Sequence, residues 1–206
     1  MAKQQHHYIG IAGVMGSGKT TCAKILKKEL NFPLLEEKPQ ENPFLQDFYK
    51  DMRRWVLHNQ LAFELIKTRQ NMRAQNILAR TSVIHDGPLE QNRVYNKTNY
   101  QFGNIGKEEY KLLANIVKLY KPYTIQPDPL IFLDAPADLI LKRIAKRARN
   151  YEQKVPRDYV EALLKFQKRL ISSYPRSKKI IVPMDKFDLT EKRHRNAFLK
   201  LIRRAL

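Results

Sequence analysis

The segment Gly13-Val14-Met15-Gly16-Ser17-Gly18-Lys19-Thr20 fits the pattern G-x-x-x-x-G-K-[ST]. Its chemistry is that of a phosphate cradle. The glycines let the backbone wrap an anion without Cβ clashes, and the amides at the start of the following helix point at it. Lys19 reaches toward β- and γ-phosphates, and the Thr20 hydroxyl is placed for Mg²⁺. The candidate nucleotide-binding residues are therefore Gly13, Gly16, Ser17, Gly18, Lys19, Thr20 and Thr21. Other groups able to do chemistry stand at the ends of short apolar runs: the carboxylate pair Glu36-Glu37 after Leu34-Leu35, and Asp86 after Val83-Ile84-His85.

These groups need a scaffold, and the patterning supplies one. Residues 8–12 read as a buried strand, and 21–30 carry apolar residues at helical spacing. Strand, glycine-rich turn and helix are the context that makes the motif a physical site. Further strands are expected at 32–37, 81–86, 129–134 and 180–182. A short helical piece should reach Lys50. One long helix should cover residues 54–80, with Trp55, Leu61, Ala62, Leu65, Ile66, Met72 and Ile77 forming its apolar side. Pro88 suits the first turn of another helix, and helices are expected over 107–120, 137–147, 156–172 and 190–206. Alternating strands and helices predict an α/β fold: a five-stranded parallel sheet with helices on both faces. Sites in such sheets lie beyond the carboxyl ends of the strands. The phosphate loop, Glu36/Glu37 and Asp86 can thus meet in one crevice.

Composition narrows the class. A chain of 206 residues with 43% hydrophobic content suits a single globular domain. No apolar run approaches membrane-spanning length. The first seven residues have no apolar signal core, and one cysteine, Cys22, can form no internal disulfide. A cytoplasmic protein is expected, with Cys22 as a small buried side chain. The net charge is +19, and residues 136–206 carry 20 Lys and Arg against 7 Asp and Glu. Such a bias suits nucleic acid, an acidic surface or a polyanionic substrate. The charges sit on helix faces rather than in an aromatic-interleaved tract, so a solvated surface is favoured over nucleic-acid binding.

The chain resembles the deoxynucleoside kinases over nearly its whole length. Besides the phosphate loop, the resemblance is carried by Asn42-Pro43-Phe44-Leu45 running through Tyr49 to Trp55, by Gln60, by Pro127-Asp128-Pro129, and by Arg147-Ala148-Arg149-Asn150-Tyr151-Glu152. It implies a P-loop nucleoside/nucleotide kinase fold over residues 1–206 with a short lid around 147–154. It further implies that ATP or another nucleoside triphosphate, with Mg²⁺, phosphorylates a nucleoside 5′-hydroxyl in nucleotide salvage. By the same resemblance Glu37 is the carboxylate base, and Asp86 helps to hold Mg²⁺ with Thr20. Tyr49 and Glu152 contact the sugar 3′-hydroxyl, Gln60 pairs with the base, and Arg147 and Arg149 stabilise the transferred phosphoryl group. A homodimer through the 54–80 helix is also implied.

Three departures from the family pattern stand out. Glu37 is followed by Lys38-Pro39, so the base could be Glu36 with the register shifted by one. Gly87 stands after Asp86 where the family usually places an arginine, and Arg147, Arg149 and Arg93 are the candidates to offset its loss. Lys67 and Asn92 stand where many members carry an Arg–Asp pair near the base, which places Asn92 among the substrate-binding candidates. Two alternative functions follow from these departures and the charge: a kinase acting on a nucleotide or a nucleic-acid 5′-end, and a nucleotide-binding scaffold without turnover.

Overall fold

The computed structural model describes residues 6–147 and 155–206. All five strands are parallel and lie in the order β2-β3-β1-β4-β5. They are β1 (Tyr8–Ala12), β2 (Leu34–Leu35), β3 (Val83–Asp86), β4 (Leu130–Asp134) and β5 (Lys179–Pro183). The helices are α1 (Lys19–Leu30), α2 (Leu45–Lys50), α3 (Met52–Leu78), α4 (Asn92–Gln101), α5 (Lys107–Tyr120), α6 (Ala137–Arg147), α7 (Arg157–Ser173) and α8 (Lys192–Arg203). Every residue of β1 is buried, as a central strand covered on both faces requires. Ile9, Ile11, Ile84, Ile131 and Leu133 from the three central strands form the core with Leu26 of α1, Ile140 of α6 and Leu163 of α7.

The expected elements are all present, and their boundaries move for identifiable reasons. Only Leu34 and Leu35 pair with β3, through Ile84 and His85. The chain then leaves the sheet, and the Glu36 carbonyl accepts a hydrogen bond from Gln70 Nε2 of α3 at 3.0 Å instead of from a strand. Pro88 does not open a helix. Gly87 has φ +69°, a left-handed turn that leaves Pro88 extended, and a single 3₁₀ turn at Leu89–Gln91 precedes α4. The last helix begins after Thr190 because Asp188 captures that residue: its Oδ1 accepts from the Thr190 amide at 2.9 Å and from the hydroxyl at 2.7 Å.

The inner face of α3 is largely polar. Trp55, Leu61 and Ile77 pack against buried residues, but others of its apolar residues do not. Leu65 and Met72 are 45% and 46% exposed, and Leu61, Ala62 and Ile66 are only half-buried. The buried side carries Asn59, Gln60, Glu64, Lys67, Thr68 and Asn71. Period identified the helix but not its inner face, because polar residues on this helix line a crevice rather than a solvated surface.

One such residue ties the helix to the sheet. Asn71 Nδ2 donates to the Ile125 carbonyl at 2.8 Å, while its Oδ1 accepts from the Ile125 amide at 3.0 Å. The side chain thereby satisfies both main-chain groups of a residue just before β4. Asn71→Leu should cost on the order of 2–4 kcal/mol of stability, because it strands two backbone polar groups. Urea unfolding of both proteins would measure this, and a loss well under about 1 kcal/mol would show that the clamp is dispensable.

Candidate active site

A crevice of about 930 Å³ opens at the carboxyl ends of the strands, between the phosphate loop, α3 and α6. β1 ends at Ala12, and the loop turns through Gly16 and Gly18, both at positive φ (75° and 102°), into α1. Those two φ values suit glycine and no larger residue without strain. Gln91 Nε2 donates to the Gly13 carbonyl at 2.6 Å and fixes the loop from the opposite side. Lys19 is buried, with its Nζ 3.4 Å from the Val14 carbonyl. The Thr20 hydroxyl donates to Asp86 Oδ2 at 2.8 Å. Among the described residues Asp86 Oδ1 has no partner. Burial pushes the Asp86 carboxyl up to about 6, while nearby Lys19 pulls it back.

Glu37 reaches this centre from just beyond β2. Its Oε2 lies 3.8 Å from Lys19 Nζ, and its Oε1 lies 2.9 Å from Lys67 Nζ. Burial alone would raise the Glu37 carboxyl, but the two ammonium groups, Lys67 first and then Lys19, hold it down at about 2. The position of Glu37 is fixed from behind by a buried relay. The Tyr8 hydroxyl donates to His85 Nδ1 at 2.7 Å, and His85 Nε2 then donates to Gln70 Oε1 at 3.1 Å. Gln70 in turn holds the Glu36 carbonyl. Burial, with Lys67 adding to it, keeps His85 neutral down to about 3, which suits a ring with one donor and one acceptor nitrogen.

Most of the expected site residues meet here. Gly16, Gly18, Lys19, Thr20, Thr21, Glu37, Tyr49, Gln60, Asn92 and Arg147 all line the crevice, as does Glu36. Gly13 and Ser17 are buried beneath it. Gln60 is 2% exposed and Tyr49 lies with its hydroxyl 3.6 Å from Met15 Sδ. Asn92 is buried, and its Nδ2 finds no acceptor among the described residues. Arg149 and Glu152, and the lid apart from Arg147, lie outside the described residues. Lys67 and Asn92 both line the crevice, and the Lys67 ammonium is engaged by Glu37. Arg93 is exposed and does not line the crevice, so it offers no compensation at Gly87.

Lys67, singled out in the sequence only as a departure from the family's Arg–Asp pair, engages Glu37. One further position escaped the sequence. Arg143 of α6 donates from Nη1 to the Ser17 carbonyl at 3.0 Å and lines the crevice beside the phosphate loop. Its only sequence signal was the spacing Leu139, Lys142, Arg143, Lys146, Arg147, one face of a helix with the wall of the crevice to cover.

A P-loop, a carboxylate facing its lysine and a threonine–aspartate pair define a P-loop phosphotransferase. The particular family follows from comparison with known proteins. The deoxynucleoside kinase family model matches residues 9–206. The chain is 29% identical to the deoxyadenosine/deoxycytidine kinase of Bacillus subtilis (strain 168), over 90% of this chain and 88% of that one. It is 30% identical to a deoxyguanosine kinase of Lactobacillus acidophilus, over 87% of this chain and 82% of that one. The structure of deoxyadenosine kinase from M. mycoides with bound dATP matches with a TM-score of 0.84 at 23% identity, covering 95% of this chain and 99% of that one. The chain belongs to the deoxynucleoside kinase family and is an enzyme, which removes the scaffold alternative. Family membership brings a nucleotide as phosphate donor.

One buried acid lies outside this machinery. Burial pushes the Glu90 carboxyl up from 4.5 to about 7, even though Arg93 and Lys67 favour its charged form. The folded state therefore holds this proton more tightly than the unfolded chain. Its stabilising share is full below about pH 4.5 and is lost as pH rises toward 7. Glu90→Gln stays neutral throughout. It should raise stability by on the order of 2–3 kcal/mol at about pH 8 and change it little at about pH 4. Urea unfolding at both pH values would decide; an equal effect at both would refute the assignment.

Proposed function

We propose that this enzyme transfers the γ-phosphoryl group of ATP to the 5′-hydroxyl of a deoxynucleoside, with Glu37 accepting the hydroxyl proton. The observation that carries this reading is the Glu37 carboxylate standing 3.8 Å from the phosphate-loop Lys19. Proton acceptor and phosphate-binding cation thereby share one crevice with room for two nucleoside-sized ligands. The triphosphate occupies the loop, with Arg143 and the segment 184–190 beside it on the donor side. The acceptor lies against α2 and α3, where Tyr49 faces the sugar and Gln60 and Asn92 offer amides to the base. By the family resemblance, Glu152 is assigned with Tyr49 to the sugar 3′-hydroxyl, and Arg147 and Arg149 to the charge on the transferred phosphoryl group. We place the enzyme in the cytoplasm, in keeping with its lone buried Cys22.

The residues present fit a magnesium ion. Thr20 and Asp86 are hydrogen-bonded to one another at the phosphate loop, and the second Asp86 oxygen has no partner among the described residues. When bound there, the ion would neutralise charge on the donor phosphates. Protein side chains do the rest. Lys19 and the loop amides hold the triphosphate, and Glu37 orients the hydroxyl and takes its proton as the oxygen attacks.

The dimer proposal gains from the inverted α3. Leu65 and Met72, one heptad apart, present apolar side chains to solvent, and α5, which packs beside α3, exposes Leu112 and Leu119 at 48% and 70%. A second copy of the chain is the occupant that fits, since a two-fold axis lets one apolar patch cover itself. Light scattering should give twice the chain mass, and Leu65→Glu combined with Met72→Glu should give a monomer. A monomeric wild type would end this part of the proposal.

Turnover should be measured with deoxynucleosides, deoxynucleoside monophosphates and a 5′-hydroxyl oligonucleotide as acceptors. Only the first class should react well. Glu37→Gln should lower kcat by on the order of 10²-fold or more while changing donor KM little, as removal of a general base does. Glu36→Gln should stay near wild type, because the Glu36 main chain rather than its carboxylate is held by the relay. The larger loss in Glu36→Gln would shift the register by one residue.

A further inference from the structure

Strand β3 delivers Asp86 to the site, and the next residue, Gly87, has no side chain to offer. The structure shows why none would fit. A Cβ at Gly87 would stand 2.9 Å from Glu37 Oε1 and 3.0 Å from Cδ. The Glu37 carboxylate occupies the volume that a residue-87 side chain would need. Whatever positive charge faces the attacking oxygen must therefore come from another element.

Lys67 comes from α3, on the far side of the carboxylate. It is 3% exposed, and its Nζ is 2.9 Å from Glu37 Oε1. The Phe63 ring lies 5.9 Å from the same ammonium. The two oxygens of Glu37 are thus divided between two lysines, Oε2 toward the phosphate loop and Oε1 toward α3. Burying an ammonium is costly unless it is paired. Glu64, Asp86 and Glu90 also feel the Lys67 charge, Asp86 after that of Lys19 and Glu90 after that of Arg93. Three other basic groups nearby are placed or paired differently. Arg93 is exposed, His85 is neutral, and Arg143 is committed to the Ser17 carbonyl.

We propose that Lys67 is a positioning residue for phosphoryl transfer: its buried ammonium aims the Glu37 carboxylate at the acceptor hydroxyl and supplies the fixed positive charge that the β3 corner cannot carry at Gly87. The proposal rests on the reading of Glu37 as proton acceptor. In the transfer step the 5′-oxygen forms a bond to the γ-phosphorus. The bond from that phosphorus to the bridging oxygen breaks, and its electron pair leaves with the nucleoside diphosphate. The hydroxyl proton passes to Glu37. Lys67 keeps its protons throughout. As Glu37 is neutralised, the ammonium loses its paired anion and faces the oxygen where the reaction occurs. A charge fixed in advance needs no reorganisation at that moment.

The test compares wild type, Lys67→Met, Lys67→Arg, Glu37→Gln and the double variant Lys67→Met/Glu37→Gln, with kcat and KM measured on the best deoxynucleoside and normalised to folded protein. Lys67→Met should lower kcat by on the order of 10²-fold and leave donor KM within about threefold. Lys67→Arg should retain more activity than Lys67→Met. Because Lys67 aims Glu37 and also supplies charge of its own, the double variant should be slower than Glu37→Gln alone, yet faster than the product of the two single losses would make it. The double variant also removes both charges of the pair together, so if Lys67→Met alone fails to fold, a double variant slower than Glu37→Gln supports the charge supplied by Lys67 and one equal to it overturns the inference. A Lys67→Met enzyme that keeps near wild-type kcat would overturn the inference, as would a double variant whose loss is the product of the two single losses. Wild-type turnover on deoxynucleosides and the Glu37→Gln loss report on the assignment of Glu37 itself, so the two readings fail separately.

Discussion

The ion pair between Glu37 and Lys67 is the contact on which the site depends, since the buried Lys67 ammonium could not stay where it is without that carboxylate. Glu37 lies past the end of a strand only two residues long, on a stretch of chain with no ladder to hold it. Lys67 projects from the inner side of a helix of 27 residues. Their 2.9 Å contact joins a weakly anchored acid to a rigid rod. Removing Glu37 leaves the Lys67 ammonium buried without its carboxylate, a costly state, whereas removing Lys67 leaves Glu37, 21% exposed, with Lys19 alone. The same logic explains Gly87. Its left-handed turn brings β3 past the carboxylate, and the missing side chain is the room in which that carboxylate sits.

Helix α3 is organised around this contact. A globular helix normally turns its apolar side inward. Here the inner side carries Gln60, Glu64, Lys67, Gln70 and Asn71, each serving a different neighbour: the crevice, α4, Glu37, the Glu36–His85 relay and the chain before β4. Buried polar groups are tolerated when they are satisfied, and when satisfied they specify a single arrangement. Nine such side-chain atoms have no hydrogen-bond partner among the described residues, among them Thr68 Oγ1 of α3 itself, Asn92 Nδ2 and Asp86 Oδ1. Asn92 lines the crevice and Asp86 pairs with Thr20 at the phosphate loop. Unpaired groups of this kind are what a bound ligand completes.

What could be read from the sequence follows from this division. The phosphate loop was legible because its function is carried by backbone geometry, which glycines at fixed spacing encode locally. Residues 107–120 and 137–147 emerged with the bounds expected of them, because α5 and α6 follow ordinary helical patterning. Glu37 and Gln60 line the crevice, and Asp86 is hydrogen-bonded to Thr20 beside it. Illegible were the features that depend on two distant segments at once. Nothing local distinguishes Lys67 from Arg69 or Arg73, yet only Lys67 is buried. Nothing local showed that Leu65 and Met72 face outward, because periodicity gives the spacing of a stripe and not its direction. The offset for Gly87 was sought among arginines on α4 and the lid, whereas the cation beside the carboxylate comes from the long helix.

A carboxylate held at about 2 looks ill-suited to accept a proton. Efficient general bases normally sit near the working pH. Phosphoryl transfer relaxes that demand. Its transition state is loose, with little bond formation to the incoming oxygen, so the hydroxyl keeps most of its proton until late in the step. A carboxylate that is always ionised and always in place is then worth more than a stronger base that is sometimes protonated or misdirected, because alignment of the reacting atoms is the larger contribution. The two lysines serve that end. They lower the proton affinity of Glu37, and in return they fix both of its oxygens, one toward the donor phosphates and one toward α3. In the proposed transfer, the charge they stabilise disappears from Glu37 as the proton arrives. Their attraction is then released to the oxygens around the phosphorus, where it is strongest in the transition state rather than before it.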